Sequence, residues 1–296
     1  MKKMIKSIMS LCLLFAVPNL VFSATFVQVK GSDTEVNVVQ RLAEDFMKKN
    51  PNYSIAVTGG GSGVGIAAII NKTTDLANAS RPMKDTEIAK AKANGVNPIG
   101  VAFAVDGLSV IVNPKNTVKT LTMDQIGQIY RGEVSNWKQV GGPEIPITLY
   151  GRQPNSGTFV FFREAVVRGE YSNKMNQMNG NAQILEAVKK DSGGIGYVGI
   201  GYVVDDKGKV NPGISVLDVA KDSRSKAATP LKLENILSGA YPLTRPLYQY
   251  FDGNKRAKVE AFIKYELSPE GVAVIQKDGF YPLTEQWKKY NAQFNF

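Results

Sequence analysis

The chain has 296 residues, with 36 lysines and arginines against 26 aspartates and glutamates, one cysteine and no histidine. The lack of histidine excludes Cys/His zinc sites, histidine-assisted nucleophiles and the usual general base near neutral pH; carboxylate or lysine catalysis stays open, but the composition favours binding and predicts no cofactor. The net charge of +10 is spread among acidic residues with no basic run, which argues against a nucleic-acid partner and leaves an anionic surface or small anions.

The first 23 residues have the pattern of a cleavable secretory signal. Three lysines precede an apolar run at residues 8–17, and small residues lead to a predicted cut before Ala24. The run is too short to span a bilayer. Leu11 precedes Cys12, where a lipoprotein signal needs a small residue. We therefore expect a periplasmic protein without a lipid anchor, with a formal charge of +7 after cleavage and enough chain for two modest domains.

The first corner between a strand and a helix carries polar side chains. A strand pattern at residues 26–30 leads to Ser32, Asp33 and Thr34, and a helical pattern follows. This order predicts the start of an α/β unit. Ser32 and Glu35 match a capping box, which is a sufficient structural explanation for this corner on its own.

The second corner is rich in glycine. A strand pattern at residues 53–57 leads into residues 59–65, where glycines let backbone N–H groups converge and Ser62 adds a hydroxyl. The run formally fits the G-x-G-x-x-A dinucleotide motif, a weak match in glycine-rich sequence. No Gly-Lys-Ser/Thr follows as in a Walker loop, and Ser62 does not fit a nucleophile elbow.

The third corner adds a hydroxyl and a positive charge. A short strand pattern at residues 75–79 leads to Ser80 and Arg81, and then to a helical pattern at residues 85–93. Further on, two apolar runs flank Asp106 and a glycine. This interruption suggests that the chain passes there from one domain to another.

The fourth corner, residues 152–158, has the composition of an anion clamp. Arg152 can grip two oxygens, Ser156 and Thr158 can donate hydroxyl hydrogens, and Gly157 lets a ligand approach the backbone. A helix that starts here would also point unpaired N–H groups at the ligand. The alternative is a plain N-cap by Ser156 or by the asparagine before it.

The four corners together favour one shared anion site. Each of Ser32, Ser62, Ser80 and Ser156 would be an unremarkable cap singly. However, ligands of open α/β sheets lie beyond the carboxyl ends of the strands, and two arginines accompany these serines. We therefore expect the four corners to meet around one oxyanion.

The remaining periodicity completes the predicted elements. It predicts strands at residues 194–198 and 246–250, and helices at residues 122–130, 181–190, 255–267 and 269–276. Ser268 is the expected N-cap of the last helix, with Pro269 at its first position.

These segments resemble the periplasmic phosphate-binding proteins that supply phosphate ABC transporters. The resemblance covers essentially the mature chain and is carried by residues 30–34, 59–63, 78–83, 106–113, 137 and 152–158. It implies an α/β type II periplasmic binding-protein fold, with two α/β domains joined by two crossing strands and a ligand cleft between them. Domain I would combine residues 24–105 with residues 247–296, and domain II would be residues 106–246.

The resemblance also implies the ligand and the partners. Inorganic phosphate would be held by residues of the first, second and fourth corners, namely Ser32, Thr34, Ser62, Arg152, Ser156, Gly157 and Thr158. The protein would be a monomer that delivers phosphate to the permease subunits of an ABC transporter and would not be an enzyme.

The third corner departs from the family pattern. Well-known members carry an aspartate close after its serine that accepts the proton of hydrogen phosphate, whereas here Arg81 follows Ser80. Asp33 and Asp106 are placed to replace it, and Asp106 is slightly favoured because it lies at the domain crossing. Arg81 is expected to pair with a carboxylate such as Asp106. Ser80, Arg81, Asp33 and Asp106 complete the predicted phosphate contacts, and selectivity against sulfate stays open.

Three alternatives remain from the sequence. A protein of the same architecture could bind sulfate, molybdate or tungstate. A secreted phosphatase-like enzyme could use Ser62 or Ser156, although the lack of histidine and of an acidic metal cluster argues against it. The sequence also leaves an adhesion or surface role open.

Overall fold

The structure is a computed structural model that describes residues 24–205 and 207–296, and the predicted signal segment lies outside them. Two five-stranded sheets and one two-stranded sheet carry helices on their faces. The strands are β1 (Thr25–Gly31), β2 (Tyr53–Thr58), β3 (Leu76–Ala79), β4 (Pro98–Gly107), β5 (Ser109–Val112), β6 (Thr120–Thr122), β7 (Thr148–Arg152), β8 (Asn176–Met178), β9 (Gly194–Val198), β10 (Ser215–Val216), β11 (Asp218–Ala220) and β12 (Thr244–Asp252). The helices are α1 (Val36–Lys49), α2 (Ser62–Ile70), α3 (Asp85–Ala93), α4 (Met123–Arg131), α5 (Gly157–Phe162), α6 (Asn181–Lys190), α7 (Leu233–Leu237), α8 (Arg256–Leu267), α9 (Pro269–Lys277) and α10 (Glu285–Ala292).

The first sheet has the order β2-β1-β3-β12-β4, with β1 parallel to both β2 and β3. Because these three strands run in the same direction, the turns that follow them lie at one edge of the sheet. Helix α1 covers the sheet since Val38, Val39, Leu42 and Phe46 recur at helical spacing and are at most 2% exposed. The strands and helices predicted for this part of the chain are confirmed.

The second sheet has the order β10-β5-β9-β7-β8. Its core is aromatic: the rings of Phe162 and Tyr197 stack with centroids 4.0 Å apart, and Tyr130 packs edge-on against both. Trp137 is fully buried and donates its indole N–H to the Gly193 carbonyl at 2.9 Å. A buried tryptophan requires such a partner, so Trp137 fixes the loop before β9.

Strands β4 and β12 connect the two sheets. They pair antiparallel over nearly their whole length, with Asp106 opposite Arg245 in the register. After β4 the chain builds the second sheet, and it returns to the first sheet on β12. The observed connection is the pair of crossing strands that the resemblance implies.

Three helices close the C-terminal part. Ser268 caps α9 by accepting the Gly271 N–H at 3.2 Å, with Pro269 at the first helical position, as the sequence predicts. Helix α10 was not predicted. Its Asn291 accepts the Ala102 N–H and donates to the Ala102 carbonyl, at 2.9 and 2.7 Å. Trp287 of the same helix lies half-buried against Tyr248.

The capping box predicted at Ser32 and Glu35 is wrong. Helix α1 begins at Val36, and Glu35 is its N-cap in a helical backbone conformation without a side-chain cap. Its backbone N–H donates to the Ser32 carbonyl at 3.2 Å. The Glu35 side chain is instead buried in the protein interior, where it is 0% exposed.

In residues 24–205 and 207–296, every helix is too short or too polar to cross a membrane.

Candidate functional site

Hydroxyl groups from the first three corners and the clamp meet between the two sheets. Thr34 and Thr158 have their hydroxyl oxygens 3.0 Å apart, and those of Ser80 and Thr158 are 3.4 Å apart. Ser62 accepts the Ser80 backbone N–H at 3.0 Å, and its hydroxyl oxygen lies 3.3 Å from that of Ser80. We call Thr34, Ser62, Ser80 and Thr158 the hydroxyl cluster. All four are at most 2% exposed, so the structure brings these corners together in one buried place.

Glycine is required where the clamp approaches the first sheet. A Cβ atom on Gly157 would lie 2.3 Å from the Ser62 hydroxyl oxygen and 2.8 Å from that of Ser80. These distances are below any normal contact. The start of α5 can therefore reach the hydroxyl cluster only because position 157 has no side chain.

The clamp serine acts as an N-cap. Ser156 accepts the N–H groups of Thr158 and Phe159 at 3.2 and 3.4 Å, as the alternative interpretation of this corner predicts. Its hydroxyl still has its own hydrogen to donate. Ser156 is 2% exposed and lies two residues before Thr158 of the hydroxyl cluster, so capping and ligand contact are compatible.

Arg152 reaches across to the first sheet. Its guanidinium forms an ion pair with Asp33 and donates to the Asn179 carbonyl at 2.9 Å. Arg152 is 2% exposed whereas Asp33 is 19% exposed. The Asp33 carboxylate also accepts the Gly60 N–H at 2.8 Å. Asp33 therefore links the clamp arginine to the glycine-rich turn.

Further hydrogen bonds join the two halves of the molecule near Asp33 and the glycine-rich turn. The Asn155 carbonyl accepts the Gly63 N–H at 2.9 Å, and the Asn155 side-chain amide donates to the Gly60 carbonyl at 3.0 Å. The Tyr202 hydroxyl donates to the Asp33 carbonyl at 2.7 Å. Burial raises the pKa of Tyr202 to about 12, and the Asp33 charge adds to the rise. Tyr202 is therefore a neutral donor across the cleft.

Arg245 is a residue of the site that the sequence reasoning missed. It pairs with Asp106 through two hydrogen bonds at 2.9 and 3.0 Å, and it donates to the Thr158 hydroxyl at 3.0 Å and to the Ser80 carbonyl at 3.1 Å. The pair is almost entirely buried. The available signal was a lone arginine before Pro246, at the start of a largely apolar and aromatic strand.

Asp106 has both carboxylate oxygens engaged. One oxygen takes the two hydrogen bonds of Arg245, and the other accepts the Ile200 N–H at 2.9 Å. The residue is fully buried at the end of β4. Asp106 is therefore on the crossing strand, as predicted, with Arg245 as its partner.

The predicted pairing of Arg81 with Asp106 is wrong. Arg81 makes two hydrogen bonds to Glu87, at 2.7 and 2.8 Å, and a third to the Pro82 carbonyl at 2.8 Å. Burial alone would raise the pKa of Glu87, but hydrogen bonds from Arg81 and from the Lys84 backbone hold it below its usual value. Because Glu87 lies only six residues away, on α3, Arg81 pairs with it and not with Asp106. Arg81 has no hydrogen bond to the hydroxyl cluster within the described chain.

The chain is 34% identical over 272 residues to the phosphate-binding protein PstS of Pseudomonas aeruginosa, a match that covers 86% of this chain and 81% of that protein. A model of the PBP superfamily domain matches residues 22–270. The chain belongs to the family of periplasmic phosphate-binding proteins. A second family relative, protein SphX of Synechococcus elongatus, is 31% identical over 290 residues, with 94% of this chain and 83% of that protein covered.

Solved structures agree with this family assignment. A phosphate ABC transporter substrate-binding protein of Clostridium perfringens with bound phosphate superposes with a TM-score of 0.76 at 29% identity, covering 88% of this chain and all of that one. An ABC-type phosphate transport receptor of Vibrio cholerae gives a TM-score of 0.68 at 25% identity, covering 87% and 100%. The predicted α/β type II binding-protein fold is confirmed.

The site has donors suited to an anion. In the described part of the chain no group of three or more histidines, cysteines, aspartates or glutamates is placed to hold a metal ion. The hydroxyl cluster and Arg245 supply hydrogen-bond donors at close range, and charge-assisted hydrogen bonds to an oxyanion are the stronger kind.

Proposed function

We propose that this family member captures inorganic phosphate in the cleft between its two sheets and delivers it to the permease subunits of an ABC transporter. The observation that carries the proposal is the buried hydroxyl cluster, whose neighbouring oxygens lie 3.0 to 3.4 Å apart, with the Arg245 guanidinium 3.0 Å from Thr158. Hydroxyl and guanidinium donors in a dry cleft replace the hydration shell of a tetrahedral oxyanion. The names of the family relatives support phosphate as that anion.

The proposed ligand contacts are those that flank the cleft. They come from all four corners and are Ser32, Thr34, Ser62, Ser80, Arg152, Ser156, Gly157 and Thr158. Arg245 joins them through its contact with Thr158. Arg81 is omitted because its guanidinium is committed to Glu87.

The domain boundaries follow the two crossing strands. Domain I comprises residues 24–105 and 247–296, and domain II comprises residues 106–246. The antiparallel pairing of β4 and β12 supports this division, because the chain leaves and re-enters the first sheet on neighbouring strands.

Asp33 is the better candidate for the acceptor that selects phosphate over sulfate. Asp106 is fully buried and its oxygens are taken by Arg245 and Ile200. The Asp33 oxygens are also engaged, by Arg152 and by the Gly60 N–H, but Asp33 is 19% exposed at the cleft and a ligand can therefore reach it. A fixed carboxylate can accept the proton of hydrogen phosphate but faces only lone pairs on sulfate.

The protein acts outside the cytoplasm and is not an enzyme. The N-terminal signal pattern and the extracytoplasmic character of binding-protein families support the first statement. The second is supported by the lack of histidine in the chain and by the family of transport proteins to which it belongs. A phosphatase assay on the purified protein should therefore give no turnover.

Isothermal titration with inorganic phosphate tests the proposal. Co-purified anion is first removed by unfolding and refolding the protein. We expect one site per chain for phosphate, with sulfate and molybdate titrated in parallel as competitors. Heat and thermal stabilisation with molybdate but none with phosphate would refute phosphate as the ligand, and hydrolysis of a phosphate ester would refute the transport role.

A further inference from the structure

Glu35 is a buried acid that the proposed phosphate contacts do not use. It follows Thr34 directly and is 0% exposed. Among the residues that the structure describes, neither of its carboxyl oxygens has a hydrogen-bond partner of normal geometry. An ionised carboxylate that is buried without hydrogen bonds is strongly unfavourable. The neutral carboxylic acid is therefore the form that suits this position.

Charged groups face Glu35 from three other elements: Asp106 of β4, Arg245 of β12 and Glu266 of α8. Burial raises the pKa of Glu35 well above its usual range. The Ser32 hydroxyl and Arg245 partly offset this rise, whereas Asp106 and Glu266 add to it. Burial and the two acids outweigh the opposing effects of Ser32 and Arg245, so the neutral form of Glu35 is favoured.

Ser32 lies in the same turn as Glu35, since its carbonyl accepts the Glu35 backbone N–H at 3.2 Å, and its hydroxyl acts on the Glu35 carboxyl group. Its backbone N–H donates to the Asn78 carbonyl at 2.9 Å, which fixes the turn, and its side chain is 2% exposed. A hydroxyl has one hydrogen to donate. If Ser32 donated that hydrogen to an ionised Glu35, it would present only lone pairs to an anion. If Ser32 accepts a hydrogen bond from a neutral Glu35, its own hydrogen stays available.

We propose that Glu35 is a positioning residue: when phosphate is bound, the neutral acid donates a hydrogen bond to the Ser32 hydroxyl oxygen and thereby directs the Ser32 hydrogen towards the anion. This inference rests on the proposed function, because Ser32 acts as a phosphate donor. An ionised Glu35, next to Thr34 in the chain, would repel the negatively charged phosphate, whereas the neutral acid does not.

Three variants separate this role from simple packing. Glu35→Gln keeps a neutral donor, and Glu35→Leu keeps the volume but removes the donor. Glu266→Gln is the matched control, since Glu266 is also a fully buried acid but accepts its hydrogen bond from Gln249, at 3.0 Å. In titrations with inorganic phosphate we expect Glu35→Gln and Glu266→Gln to bind within about twofold of the unaltered protein, and Glu35→Leu to bind about tenfold more weakly, the cost of one hydrogen bond.

Two titration results would overturn the role of Glu35. Equal affinity of Glu35→Leu and the unaltered protein would show that Ser32 needs no positioning. Binding by Glu35→Gln that is as weak as binding by Glu35→Leu would show that a neutral donor at this position does not position Ser32. Circular dichroism and thermal unfolding of each variant confirm that the fold is retained.

Infrared spectroscopy of the unaltered protein tests the protonation state directly. With phosphate bound at neutral pH we expect the carbonyl band of a protonated carboxyl group that disappears in Glu35→Gln and persists in Glu266→Gln. Normal phosphate binding without that band would refute only the role of Glu35. Failure of the unaltered protein to bind phosphate would refute the proposed function, and the band would still report whether Glu35 is neutral.

Discussion

Asp33 and Arg152 form an ion pair across the cleft, from the turn after β1 to the end of β7. The same carboxylate holds the Gly60 N–H at 2.8 Å. The arginine proposed to bind the anion is therefore also a contact between the two halves of the molecule. Ligand recognition and closure of the cleft therefore both depend on the Arg152 side chain.

Arg152→Ala should weaken phosphate binding by about a hundredfold or more, because a charged contact is lost in a closed cleft. Arg81→Ala is the matched control, since Arg81 is also mostly buried but is paired with Glu87. We expect Arg81→Ala to lower stability with little change in affinity. Titration calorimetry on both variants checks this, and equal affinities would place the anion site elsewhere.

Asp33→Asn should weaken phosphate and let sulfate compete, because an amide can donate to sulfate as readily as to phosphate. Asp106→Asn should leave the preference intact, since Asp106 is occupied by Arg245 and Ile200. Competition titrations with sulfate measure the difference. If Asp33→Asn keeps the full preference of the unaltered protein, the acceptor is another group.

Arg245→Met should destabilise the protein by about 3–5 kcal/mol, because it leaves the buried Asp106 carboxylate without its partner. The double variant Arg245→Met/Asp106→Leu should recover much of that loss, since no buried charge remains. Urea unfolding of the two single variants and the double variant gives the coupling. A double variant that is as unstable as the sum of the singles would contradict it.

Gly157→Ala should weaken phosphate binding by about ten- to a hundredfold, the effect of overpacking at about 1–3 kcal/mol. The added methyl would meet the Ser62 and Ser80 hydroxyl oxygens at 2.3 and 2.8 Å. Gly180→Ala is the control, because a Cβ there meets nothing within 4 Å. Titration calorimetry should find the phosphate affinity of the control unchanged. A Gly157→Ala variant with normal affinity would show that the start of α5 can shift to accommodate the methyl group.

Glu266→Gln should change how stability depends on pH. Burial raises the pKa of Glu266 well above its ordinary value of 4.5, with Gln249 partly offsetting the rise. The folded protein therefore binds one more proton than the unfolded chain between these two values, and stability is lost as pH rises through them. The stability of the unaltered protein relative to Glu266→Gln should fall by up to about 1.4 kcal/mol per pH unit above pH 4.5.

Denaturant unfolding at several pH values measures this slope. Glu285→Gln is the control, since Glu285 is exposed and its pKa is lowered by the Lys288 hydrogen bond. A flat difference between the unaltered protein and Glu266→Gln would mean that Glu266 is ionised in the folded state.

The positions of the corners could be predicted from the sequence because the geometry of the sheet determines them. Parallel strands place the turns with Ser32, Ser62 and Ser80 at one edge whatever the side-chain details are. The side-chain partners could not be predicted in the same way. Arg81 had a carboxylate within reach on α3, and its local pairing with Glu87 left Asp106 to Arg245.

Two further features lacked a usable sequence signal. Arg245 is one residue in a strand, so no spacing marks it, and only the register of β12 against β4 places it beside Asp106. Helix α10 is polar and weakly periodic, and it is fixed by Asn291, whose side chain bridges both backbone groups of Ala102. Such a contact depends on tertiary structure that periodicity does not encode.

The two tryptophans of the chain lie in different halves and in different surroundings. Trp137 is sealed within the second half, with its indole N–H bound to a carbonyl. Trp287 is half-buried against Tyr248, close to the return strand. Indole emission depends on the polarity around the ring, so the native protein contains two distinguishable fluorophores. Loss of the blue-shifted Trp137 emission therefore reports unfolding of the second half, and changes in the Trp287 emission report bending between the two halves. Neither measurement needs an attached dye.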